Sequence, residues 1–165
     1  MENKYYTPEL NEFHIGFEYE MKSTFGDGTV KTLEQYNAAE WNKETYTLRS
    51  FPYVDRTMTG KNSQTLPPAI RVKYLDAEDI INEGFSEEYL PNVFHDDDLI
   101  KGYSLTQSDT VFYNVFLDTE NSTVGVWKQV IYNEVSENWT AHILFNGVIS
   151  NLSEFRRLMK QLNIK

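Results

Sequence analysis

The sequence contains no cysteine. That excludes disulfides, thiol catalysis and any Cys-ligated zinc or iron–sulfur centre. No apolar run approaches the roughly 20 residues that a membrane helix needs. The opening Met1-Glu2-Asn3-Lys4-Tyr5-Tyr6 has no basic region followed by an apolar core, so no secretory signal is expected. The sequons at Asn121, Asn138 and Asn151 therefore carry no expected glycan. Gly-x-Ser-x-Gly, the phosphate-binding loop, the dinucleotide fingerprint and His-Glu-x-x-His are all missing. So are basic aromatic strands of the RNA-binding type. Nothing calls for a cofactor, and none is expected. There are no internal repeats and no low-complexity tracts.

What is present reads as one folded domain spanning residues 1–165. Apolar residues make up 40% and aromatics 15%, too much hydrophobe for a disordered chain. A chain of 165 residues is long enough to bury a core without staples.

The net charge is −10, and it is concentrated. Residues 1–75 are nearly balanced. Residues 76–98 carry nine acids and no base: Asp76, Glu78, Asp79, Glu83, Glu87, Glu88, Asp96, Asp97 and Asp98. Ile80, Ile81, Phe85, Tyr89, Leu90, Val93 and Phe94 are interleaved with them, as a disordered acidic tail would not allow. The segment is expected to fold half-buried with its acids on a wet face. Such a face repels nucleic acid and steers a basic protein surface toward it. The bland alternative is an acidic face that only aids solubility.

Local patterns outline the elements. Thr7-Pro8-Glu9 suggests a single helical turn with Thr as cap. Phe13, Ile15, Phe17, Tyr19 and Met21 alternate with polar residues and predict a strand. Gly26-Asp27-Gly28 predicts a turn, and Thr29 to Leu33 can pair back after it. Thr32-Leu33-Glu34-Gln35 has the form of a capping box. A strand through Thr45 to Leu48 competes with it. The polar stretch Asp55 to Pro68 reads as a loop. Ile70, Val72 and Tyr74 alternate as a short strand. Asp76 can cap the next helix, Leu75 can staple over Ile80, and Gly84 suits a left-handed terminus. Tyr103–Gln107, Val111–Leu117, Val124–Tyr132 and Thr140–Val148 form a meander of hairpins. Asn151 caps a last helix whose Leu152, Phe155, Leu158, Met159 and Leu162 fall on one stripe. The fold class is α+β: a mostly antiparallel sheet, with a short mid-chain helix and a C-terminal helix packed on it.

Candidate chemistry is sparse. His14, Glu18 and Glu20 alternate along one predicted strand face. Glu18 and Glu20, about 7 Å apart on a strand, could share an ion. His14 and Glu18, about 13 Å apart, could not. Asp96-Asp97-Asp98 offers oxygen ligands. An EF-hand loop starting there would need glycine and glutamate where Lys101 and Gln107 stand. His142 is expected on the polar side of a sheet.

Two long stretches carry a resemblance: IRVKYLDAEDIINEGF from Ile70 to Phe85, and LFNGVISNLSEF from Leu144 with Leu162-Asn163-Ile164 beyond it. Together with Tyr6-Thr7-Pro8-Glu9 and Gly16-Phe17-Glu18-Tyr19-Glu20, they resemble a group of small uncharacterised proteins of Bacteroidetes-type phages and prophages. The resemblance implies a cytoplasmic accessory protein made inside a bacterial host. It supplies no catalytic residue. The expectation is therefore a non-enzymatic protein that binds a host protein bearing a basic, nucleic-acid-binding surface. A host-defence nuclease is one such target, and the chain would then act in the manner of an anti-CRISPR. The binding residues would be Asp76, Glu78, Asp79, Glu83, Glu87, Glu88, Tyr89, Phe94, Asp96, Asp97 and Asp98, with Phe85 as a further apolar anchor. No direct binding to nucleic acid or membrane is expected. The alternatives are a small metal-dependent hydrolase using Glu18, Glu20 and a histidine, and a phage structural or assembly protein.

Overall fold

The structure is a computed structural model that describes residues 4–22, 32–50, 54, 69–91, 93, 99–133 and 138–164. The expected turn at Gly26-Asp27-Gly28 and the loop Asp55–Pro68 lie outside the described residues. The architecture is α+β with mostly sheet: two antiparallel sheets, of four and five strands, and three α-helices among the described residues. The chain divides into two compact units, Met1–Tyr74 and Leu75–Lys165.

The first unit holds β1 (Tyr5–Tyr6), a single 3-10 turn (Leu10–Glu12), β2 (Glu18–Lys22), α1 (Leu33–Ala38), β3 (Trp41–Thr45) and β4 (Ile70–Lys73). The strand order is β1-β4-β2-β3. The first turn starts two residues later than the Thr-Pro signal suggests. The Glu9 amide donates to the Glu12 carboxylate at 2.6 Å, and Pro8 is fully buried ahead of it. Thr32 and Gln35 do form the capping box of α1. The alternation from Phe13 to Met21 becomes a strand only from Glu18. Gly16 turns the chain with φ +93, a conformation that side chains resist, and it throws Ile15 out to 69% exposure. Beyond the turn, Phe17 and Tyr19 are buried with Tyr46, Val54, Ile70 and Val72. The Phe13 ring lies within 5.3 Å of the Phe17, Tyr19 and Tyr46 rings.

The second unit runs α2 (Ala77–Asn82), β5 (Ser86–Pro91), β6 (Leu99–Ser108), β7 (Val111–Asp118), β8 (Thr123–Asn133), β9 (Asn138–Val148) and α3 (Leu152–Gln161). The five strands pair in chain order, each antiparallel to the last: the four expected from Tyr103 onward form the meander, and β5, which the sequence did not announce, adds a fifth strand at its edge. Register follows the alternation: Tyr103 faces Val115, and Val115 faces Val126. These residues, with Tyr113 and Val124, make a floor on one sheet face. Ile80 of α2, Phe85 just beyond it, and Phe155, Leu158 and Met159 of α3 bury against that floor. The Phe85 and Phe155 rings meet edge-on at 6.0 Å.

Capping sets both helix starts. The Asp76 carboxylate accepts from the Asp79 amide at 3.1 Å, and Asp79 returns the bond to the Asp76 amide at 3.2 Å. Asn151 accepts from the Glu154 amide at 3.0 Å, while the Glu154 carboxylate reaches back to the Ser150 amide at 2.7 Å. Gly84 ends the α2 segment at φ +96. No helix among the described residues is long and apolar enough to cross a membrane.

Gly102 marks a close approach in the sheet. A Cβ there would lie 2.7 Å from Leu90 Cδ1 and 2.9 Å from the Val115 carbonyl oxygen. The backbone oxygen cannot swing aside. Gly102→Ala is therefore expected to destabilise the C-terminal unit by about 1–3 kcal/mol, read from the urea midpoint at unchanged slope.

A candidate acidic surface

The acidic segment folds into α2 and β5, and the structure sorts its carboxylates by role. Asp76 and Asp79 are bound up in the capping box, and Asp79 is only 8% exposed. It lies buried rather than on the wet face. Their charge is answered by the positive end of the helix they cap. Glu83 accepts from Arg156 of α3 through Nε and Nη2, both at 2.8 Å, which ties the end of α2 to α3. Glu87 pairs with Lys101 at 3.0 Å across the β5–β6 ladder. Glu78 and Glu88 are exposed. Tyr89 is 76% exposed and opposite Lys101 in register. Phe85 is buried against Phe155, so it is core and cannot be an apolar anchor. Phe94, Asp96, Asp97 and Asp98 lie outside the described residues.

Among the described residues the segment therefore offers one exposed aromatic ring, Tyr89, and three exposed carboxylates, Glu78, Glu87 and Glu88. Alternation along β5 places Glu87 and Tyr89 on one sheet face and Glu88 on the other. The two ion pairs are partly exposed, and such pairs add little stability. Their effect is on the field: Arg156 and Lys101 each cancel one acid of the segment locally.

Sequence reasoning missed a second arrangement, on the small sheet. Register puts Tyr5, Lys73, Arg71, Glu20, Lys43, Lys22 and Trp41 on one face, because directly paired residues share a side. The Arg71 guanidinium stands 3.8 Å from the Tyr5 ring centre and 4.1 Å from that of Trp41. It donates to one oxygen of Glu20 through Nε at 2.7 Å and Nη2 at 2.6 Å. Lys22 stands over Tyr36 at 4.2 Å and donates to its carbonyl at 2.7 Å. The residues come from β1, β2, α1, β3 and β4. Only the β-pairing brings them together, so no local spacing announces them.

This geometry also answers the carboxylate pair of β2. Glu20 is held by Arg71. His14 is not on the strand; its Nδ1 bonds the Glu12 carbonyl at 3.0 Å and its ring packs on Phe17. Among the described residues no three His, Asp or Glu side chains gather to hold a metal ion. His142 is exposed on β9, as expected. No family model, curated protein or solved structure matches this chain.

Two measurements test these contacts. The Glu87 hydrogen bond, helped by its charge, raises the Lys101 pKa. The pair is therefore present below the ordinary lysine range and is lost as the pH climbs through the raised value. Glu87→Gln should bring the Lys101 side-chain NMR titration back down toward that ordinary range. Arg71→Lys keeps the charge but loses the planar stack and fork. It should destabilise the N-terminal unit by about 1–2 kcal/mol in chemical denaturation.

Proposed function

We propose that the chain is a non-enzymatic accessory protein of phage or prophage origin. It binds a host protein through the acidic surface of α2, β5 and the segment that follows. The partner presents a basic surface that otherwise holds nucleic acid, and a host-defence nuclease is the target class, as for an anti-CRISPR. The protein acts in the bacterial cytoplasm. The observation that carries the reading is the charge distribution: nine acids without a base in residues 76–98 of a chain otherwise near balance.

The physical logic is competition. Nucleic-acid sites concentrate Lys and Arg to neutralise phosphates. An acidic protein surface presents charge of the same sign as the phosphates, so it steers onto such a site and competes for it. Tyr89 supplies what a phosphate backbone lacks, an exposed ring able to seat in an apolar pocket. The resemblance of these stretches to phage-encoded proteins supports the cellular context.

The first experiment is affinity capture of the tagged protein from bacterial host lysate, washed at low and at high salt. The expected result is retention of one basic nucleic-acid-binding protein at low salt and its loss at high salt. Recovery of the bait alone would count against the reading. With a partner in hand, Asp96→Asn/Asp97→Asn/Asp98→Asn should slow association by about tenfold at low ionic strength and flatten its salt dependence. Tyr89→Ala should act instead on dissociation. Association unchanged in the triple variant would remove the acidic surface from the mechanism.

A further inference from the structure

Among the described residues the sheets end on four edge strands, and three are blunted against further pairing. β1 has two residues. β3 carries Lys43 and Glu44. β5 carries Glu87 and Glu88 and ends on Pro91. Short length, charge and proline are the devices that keep sheet edges from pairing with another chain. The fourth edge, β9, has none of them. It is eleven residues long, Asn-Trp-Thr-Ala-His-Ile-Leu-Phe-Asn-Gly-Val, with no proline, no acid, no lysine and no arginine. Trp139, Ile143 and Val148 are exposed large apolar side chains on it.

We infer that β9 is a pairing edge whose occupant is a second copy of this chain, joined antiparallel about a two-fold axis at Ala141. Three observations favour that occupant and that register. The first is the extent of regular strand. The β8–β9 ladder is interrupted between Val126 and Trp127 and between Ile131 and Asn133, which leaves Trp139–Ile143 as an unbroken run. Ala141 is its centre. The second is self-complementarity. A two-fold at Ala141 sets Trp139 of each copy opposite Ile143 of the other, an aromatic against a β-branched residue, twice over. It also sets Thr140 opposite His142, so no like charges meet. The third is electrostatic. Two copies of net charge −10 repel unless their acids stay apart. The acidic strand β5 is at the far edge of the same sheet, four strand spacings or about 19 Å from β9. That exceeds twice the screening length of about 8 Å at physiological salt. The neutral edge is where two such molecules can approach. Their sheets would join into one of ten strands, with an acidic edge at each end. A single strand pair buries little surface, so the dimer is concentration-dependent.

Sedimentation velocity across a wide range of protein concentration tests the inference. The expected result is a monomer at low concentration and twice that mass at high concentration. Thr140→Lys/His142→Lys changes two exposed residues and opposes lysine to lysine twice across the axis. It should weaken self-association by at least about tenfold, with the thermal unfolding midpoint close to that of the unsubstituted chain. A chain that stays monomeric throughout, leaving the edge to an extended segment of another protein, overturns the proposal. So does a dimer indifferent to the lysine pair. The cysteine-free sequence permits a second readout that does not rely on weakening anything. Across an antiparallel pair the Cα atoms lie about 4.5–5.5 Å apart, within disulfide range. Ala141→Cys should therefore oxidise to a covalent dimer, whereas Tyr89→Cys on the acidic edge should not. Equal cross-linking at both positions, or none at 141, overturns the two-fold at Ala141.

Discussion

Val115, Val124 and Val126 have no solvent exposure, and the C-terminal unit is arranged around keeping them so. They sit on one face of β7 and β8, where alternation leaves every second residue looking the same way. Ile80 and Phe155 must come down on that face, because apolar surface left in water costs roughly 25 cal/mol per Å². Once they do, the ends of their segments are constrained. The Leu75 amide bonds the Ser150 carbonyl at 2.9 Å, joining the approaches to α2 and α3. Arg156 then reaches Glu83. The acids of α2 and β5 are held in place because the residues between them are anchored in this core.

That anchoring decides what the acidic segment offers to a partner. Nine carboxylates in a flexible tail would act as a diffuse charge. Among the described residues two cap a helix, two are in ion pairs, and Glu78 and Glu88 stand exposed on a folded scaffold. Charge of one sign gathered at one edge of a sheet gives direction to the field as well as magnitude. The opposite edge carries no lysine, arginine or acid. The same strand order that isolates the acids from β9 leaves β9 free of the repulsion they generate.

The N-terminal unit solves a different problem. Its sheet has four short strands, and one face is filled by Phe17, Tyr19, Ile70 and Val72. The other face carries cations, and Arg71 and Lys22 are packed rather than solvated: Arg71 lies against Tyr5 and Trp41 and is held by Glu20, and Lys22 stands over Tyr36. Stacking on aromatic rings lets the guanidinium cover apolar surface while its edge still meets a carboxylate. A face whose cations are matched in this way contributes stability where a run of unpaired lysines would only repel.

The sequence by itself determined the features that depend on neighbours along the chain. The period-two runs of the meander, the capping residues Thr32, Asp76 and Asn151, the left-handed Gly84 and the apolar stripe of α3 are local physics, readable within a window of a few residues. The early strand was misjudged at its start, because the preference of Gly16 for a turn outweighed the alternation on either side. Only the tertiary structure decided which acids stay exposed, that Phe85 is core, that Glu20 belongs to Arg71 and that β9 ends its sheet. These outcomes join residues far apart in sequence, up to 73 positions for Glu83 and Arg156. Such contacts form when strand order and helix packing close long loops, and no local propensity encodes which distant partner will be met.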